Sequence, residues 1–236
     1  MSNYCDITVL LDRSGSMSRI KDAMESGFEE FLTAHREVPT TRLSLIQFDD
    51  KNRHDVVYSE RPVTDAPKLD LSPRGMTPLR DALCMAIDEA GKRLARKKEA
   101  DRPNKVLFVV ITDGLENASK AYSTYDVSDR VKRQTDRYSW EFTFLGANQD
   151  AVIEGVNLGF DLNKSMTFAM SRQGVGETFR LLARNTANYA GGATAVLDSY
   201  TMDDRLKAMT TDTTTGDPVT GSTTDGTTKR SKNRPA

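Results

Sequence analysis

The sequence predicts an α/β fold: a doubly wound, mostly parallel central sheet with one antiparallel edge strand and helices on both faces. Three observations carry this expectation. Short apolar runs alternate with helical patterns almost throughout the chain, which is the order of βα units. The run KVLFVVIT from Lys105 to Thr112 is nearly continuous and apolar, as a central strand covered on both faces must be. The runs RLSLIQF (Arg42–Phe48) and DVVYSERPV from Asp55 follow each other too closely for a helical crossover, so they pair as a hairpin and supply the antiparallel strand.

The elements follow in order. CDITVLL from Cys5 reads as the first strand, and Ile20, Met24, Phe28, Phe31 and Leu32 then recur at helical spacing. After the hairpin, Leu79, Leu83, Ala86, Ile87, Ala90 and Leu94 share one face of a helix over residues 77–98. Beyond the central run, residues 124–137 are helical, WEFTFLGA from Trp140 is a strand, and 150–158 form a short helix. SMTFAM from Ser165 is a last strand, and Val175 to Tyr189 a closing helix. Residues 1–200 therefore make one domain, and 201–236 a Thr/Gly/Asp-rich C-terminal tail. From Met209 onward the tail holds few apolar side chains, and such a composition predicts disorder.

Composition narrows the function classes. A chain of 236 residues with 37% hydrophobic content buries an ample single core. A net charge of −1 recommends neither nucleic acid nor an anionic membrane as partner. The basic run KRLARKK, Lys92–Lys98, suits a solvated helix end whose cations complement the dipole; contact with nucleic acid is the alternative. Two cysteines and two histidines make a disulfide scaffold or a His/Cys zinc site improbable. No apolar run reaches the roughly 20 residues of a membrane span, and no basic-then-apolar leader opens the chain. The expected location is the cytoplasm.

The chemistry gathers at one predicted sheet edge. DRSGSM, residues 12–17, follows the first strand, and in an extended segment Asp12, Ser14 and Ser16 share a side. That spacing suits an oxygen site for a hard cation; a turn leading to a helix capped by Ser16 or Ser18 accounts for the same residues. The central strand ends TDG, which puts Asp113 at its carboxyl end. Before the long helix the chain reads GMTP, with Thr77 suited to cap the helix and Pro78 to its first turn. Each alone is an ordinary turn or helix start. Together they fall outside the carboxyl ends of parallel strands, where such sheets bind ligands.

DRSGSM, GMT and TDG, in that order and context, resemble the metal-ion-dependent adhesion site of the von Willebrand factor A (vWA) domain family over roughly residues 3–190. The resemblance implies a Rossmann-like vWA fold and a site at Asp12, Ser14, Ser16, Thr77 and Asp113. Mg²⁺ or Mn²⁺ suits small hydroxyls and a few acids. With only two carboxylates the ion keeps positive character, so an Asp or Glu of a partner protein is expected to complete its shell. The implied function is a metal-dependent protein-binding module and not an enzyme. The alternative is an Mg²⁺-dependent phosphohydrolase using Asp12 and Asp113; it lacks a basic phosphate clamp, since Arg13, Arg74 and Arg80 read as solvated. The expected partner-binding rim is Asp49, Asp50, Arg74, Glu116, Asn117, Asn148, Gln149 and Asp150. A bacterial operon, a chelatase-like complex and a bacteriophage all remain open as settings.

Overall fold

A computed structural model describes residues 2–38, 40–147 and 151–212. Strands β1 (Ser2–Asp12), β2 (Thr41–Phe48), β3 (Asp55–Pro62), β4 (Pro103–Thr112), β5 (Glu141–Gly146) and β6 (Ser165–Thr167) form one sheet in the order β3-β2-β1-β4-β5-β6. All neighbours are parallel except β2 and β3. Helices α1 (Lys21–Arg36), α2 (Leu79–Ala95), α3 (Thr124–Tyr138), α4 (Ala151–Asn157), α5 (Arg172–Gly191) and α6 (Met202–Ala208) complete it.

The central strands show why both faces are covered. Leu107, Val109 and Ile111 of β4 join α1 and α5 in one core, while Val106, Phe108 and Val110 join α2 and α3 in the other. Alternation along a pleated strand divides one apolar run between two layers. α1 crosses close to α5 at Gly27, where a Cβ would stand 2.3 Å from the Phe179 ring. Strand order reverses between β1 and β4, so the space beyond their carboxyl ends is the switch point of the sheet.

Several expectations need correction. Met202–Ala208, within the segment assigned to the tail, form α6, which packs on α5 and β6 with Ala208 fully buried. Its capping box at Thr201 and Asp204 and its bidentate Arg184–Asp204 pair order a segment whose apolar content alone is slight. The last strand ends at Thr167 instead of Met170, because the Ala169 N–H turns to donate to the Ala208 carbonyl at 2.9 Å. Thr77 does not cap α2: Pro78 is its N-cap and Leu79 its first residue. The basic run is partly consumed by the fold, since Arg93 grips Asp6 through two 2.8 Å bonds and Lys97 meets Glu60 at 2.6 Å. Both cysteines are buried and free. No helix among the described residues is long and apolar enough to cross a membrane.

Candidate metal centre

β1 and β4 end side by side, and each delivers an aspartate. Asp12, the last residue of β1, is wholly buried. Its Oδ1 accepts the Ser14 N–H at 2.7 Å and its Oδ2 accepts the Thr112 hydroxyl at 2.6 Å. Ser14 Oγ lies 3.1 Å from Ser16 Oγ, which donates to Asp113 Oδ1 at 2.8 Å. A Cβ on Gly114 would lie 2.9 Å from Thr77 Oγ1 and 3.7 Å from Asp12 Oδ2, so Thr77 faces the same space and only glycine leaves it open. The structure thus brings together Asp12, Ser14, Ser16, Thr77 and Asp113. Ser16 caps no helix; its hydroxyl is turned toward Asp113.

The electrostatics of this cluster are unfavourable within the protein itself. Burial pushes the Asp12 carboxyl up to about 7, with nearby Asp113 adding to the rise, against the bonds from Thr112 and Ser14. Burial likewise raises Asp113, which the Ser16 hydroxyl only partly offsets. Asp113 Oδ2 is buried with no hydrogen-bond partner among the described residues. The charge of Arg19 only partly offsets the rise at Asp113; two desolvated carboxylates with no ion pair between them and a cation are costly, and a divalent ion between them would remove that cost. The donors fit a hard ion: among the described residues no group of three or more His, Cys, Asp and Glu is placed to hold a metal, so hydroxyl oxygens must complete any shell here. An all-oxygen set is the donor chemistry of a hard divalent cation.

The loop carrying Thr77 is braced on both sides. The Thr77 N–H donates to Asn117 Oδ1 at 2.9 Å, and the Asn117 N–H to the Thr77 carbonyl at 3.1 Å. Asp50 Oδ1 accepts the Met76 N–H at 3.0 Å. Glu116 is occupied internally, accepting from the Ala118, Ser119 and Arg80 backbones and the Ser119 hydroxyl.

The rim expectation therefore divides. Asp49 is not exposed: it is fully buried between Arg13 and Arg74. Asp50, Glu116 and Asn117 are spent on the loops, Arg74 keeps an exposed side, and Asn148, Gln149 and Asp150 lie outside the described residues. Arg13 is not solvated either; it is buried against Asp49, Asp55 and Gln47. Arg80 faces Glu116 at 3.7 Å. Arg13, Arg74 and Arg80 are thus each tied to an acid, Arg13 and Arg74 sharing Asp49, while the exposed Arg19 acts on Asp113 from nearby.

Sequence reasoning missed Thr112, which holds Asp12, and Asp81, which accepts the backbone N–H groups of Lys120, Ala121 and Tyr122. The signal for Thr112 was register: Leu11 pairs with Ile111, so the next residues of the two strands adjoin.

The sequence model of the von Willebrand factor type A domain matches residues 6–171. The chain belongs to the von Willebrand factor type A domain family. No curated protein matches it. The vWA fold is shared with the pilus adhesin SpaC of Lactobacillus rhamnosus GG in its open conformation, at 15% identity and a TM-score of 0.60, covering 80% of this chain and 30% of that one. The mussel byssus protein PTMP1 with a zinc-occupied MIDAS motif is similar at 15% identity and a TM-score of 0.53, covering 79% and 46%. A von Willebrand factor type A protein from Catenulispora acidiphila is similar at 14% identity and 0.51, covering 80% and 44%. This vWA chain spans less than half the length of each.

Proposed function

We propose that this vWA domain is a non-catalytic protein-binding module whose Mg²⁺ or Mn²⁺ ion captures an Asp or Glu carboxylate of a partner protein. The observation that carries the reading is the pair of buried carboxylates, Asp12 and Asp113, facing serine hydroxyls in place of a cation, with Asp113 Oδ2 left without a partner. Ser14, Ser16 and Thr77 supply the remaining oxygens. When bound, the ion's charge is only matched by the two carboxylates and the hydroxyls add none, so with a coordination position left to water it still acts as a hard Lewis acid that an external carboxylate oxygen can ligate. The adhesin and the zinc-occupied motif among the structural neighbours support both halves of this reading. Two free, buried cysteines suit a cytoplasmic setting.

Isothermal calorimetry with MnCl₂ tests the site. Asp12→Ala is expected to abolish measurable binding while circular dichroism stays that of the parent, since Asp12 lies at a strand end. Unchanged Mn²⁺ affinity in that variant overturns the assignment. By linkage, the ion must raise partner affinity by the factor by which the partner raises ion affinity. A partner that binds equally in Mg²⁺ and in EDTA removes the metal from the interface.

A further inference from the structure

Asp49 opens the turn after β2 with no solvent exposure, yet it carries more hydrogen bonds than any simple turn requires. Its Oδ1 accepts the N–H groups of Lys51 and Asn52 at 2.8 and 2.9 Å. Its Oδ2 accepts Arg13 Nε and Arg74 Nε, each at 2.9 Å, and pairs ionically with Arg13 Nη2 at 2.8 Å. One carboxylate thus holds two guanidiniums from two different loops. Arg13 belongs to the loop that carries Asp12, Ser14 and Ser16; Arg74 belongs to the loop that carries Thr77.

The backbones of those loops are joined at the same place. The Arg74 N–H donates to the Arg13 carbonyl at 2.8 Å, and the Gly15 N–H to the Gly75 carbonyl at 3.1 Å. Next along the chain, Asp50 accepts the Met76 N–H. It lies so close to Gly75, which has a left-handed φ of 69°, that a Cβ there would be 1.9 Å from Asp50 Oδ1. Arg13 Nη1 extends the network to Asp55 at 2.8 Å and Gln47 at 3.1 Å. The ionic part balances: two arginines against Asp49 and Asp55. No atom of Asp49 is bonded to the donor cluster itself, so its effect on that cluster passes through the loops.

We infer that Asp49 is a positioning residue for the metal centre: by clamping Arg13 to Arg74 it sets Thr77 against Asp12, Ser14 and Ser16 before any ion arrives. The inference rests on the metal-binding reading above and deepens it. Holding the two loops in register spares an incoming ion the ordering of a hydroxyl ligand; partners bonded directly to a metal ligand are worth about 10- to 100-fold in metal affinity, and a clamp one step further out should reach the lower end of that range. Arg74 is the informative handle. Its side chain is 49% exposed, and Asp49 keeps Arg13 when Arg74 is lost, so the core is spared.

The test measures Mn²⁺ affinity by calorimetry and amide hydrogen exchange at Met76 and Thr77, for the intact chain and for Arg74→Ala, Arg74→Lys and Asp49→Asn. Arg74→Ala is expected to weaken Mn²⁺ binding about 3-fold and Asp49→Asn up to about 10-fold, the lower end of the range for direct partners of a metal ligand. Both should speed exchange at Met76 and Thr77, and Arg74→Lys should recover part of each loss. Thermal midpoints separate this from general destabilisation, because Arg74→Ala should melt with the parent. Parental Mn²⁺ affinity and parental exchange in Arg74→Ala overturn the inference, whatever becomes of Asp49→Asn. Should the unmodified chain bind no Mn²⁺, the metal reading fails on its own, and the exchange rates still decide whether the clamp sets the loop.

Discussion

Single residues show where burial has been traded for chemistry or for packing. Asp12 and His35 are both fully buried, but burial bends them in opposite directions. It lifts the acid up to about 7 and holds the imidazole down at about 4. His35 Nδ1 faces the Phe31 carbonyl at 2.9 Å and therefore carries the proton, while Nε2 sits 3.1 Å from the Thr186 hydroxyl. The neutral ring is thus part of the α1–α5 interface. Unfolded, this histidine titrates near 6.5, so between pH 6.5 and about 4 the unfolded chain takes up a proton that the folded one refuses. Stability must fall as pH drops through that window, by up to about 3 kcal/mol for this one group. Urea unfolding at pH 7.5 and 4.5 checks the sign. His35→Leu should flatten the slope over that range, and an undiminished slope in the variant excludes His35 as its source. Nothing in the sequence marked His35 out, since a histidine at a helical core spacing looks the same whether it is neutral or paired.

At the scale of elements, α1 and α5 approach each other closely. Gly27 faces Phe179, whose ring also meets Phe28 edge-on at 6.4 Å between centroids. Alanine favours a helix over glycine by about 1 kcal/mol. At position 27, however, its methyl collides with Cγ and Cδ2 of Phe179 at 2.7 and 2.3 Å. Gly27→Ala should therefore destabilise by about 1–3 kcal/mol in spite of its propensity. Phe179→Leu in the same chain should restore part of that loss, which chemical denaturation of the single and double variants measures. A stabilised single variant would mean that the two helices separate freely. The helical periodicity of α1 was plain in the sequence, but the need for glycine within it came from α5, more than a hundred residues away.

For the whole molecule, the decisive question is where the folded unit ends. The expected boundary at residue 200 cuts off α6, together with the Arg184–Asp204 pair, the Ala169–Ala208 backbone bond and the bond from the Ser171 hydroxyl to the Thr210 carbonyl at 2.7 Å. Asp212 also accepts the Gln173 N–H at the start of α5 at 2.9 Å. A chain ending at residue 200 loses these bonds and uncovers the buried Ala169 and Gly174, against which Ala208 packs, and should lose more than about 2 kcal/mol. One ending at 212 should unfold with the full chain. Equal stability at 200 and 212 would show that α6 adds nothing to the fold.

The fold class, and the gathering of five oxygen-bearing residues at one sheet edge, were readable from the chain because each rests on local order. Strands appear as apolar runs, helices as periodic ones, and Asp12, Ser14, Ser16, Thr77 and Asp113 all lie within a few residues of an element's end. Only the tertiary structure decided what the remaining charges do. Asp49 reads in sequence as a polar loop residue like Asp50 or Lys51. Its burial between Arg13 and Arg74 depends on three strand ends and loops meeting at one sheet edge. The same holds for Thr112 against Asp12, and for α6 against β6. A charge or hydroxyl is soluble alone and satisfied when paired, so composition cannot distinguish the two. The distinction is made by partners brought together from distant parts of the chain, and that is a property of topology.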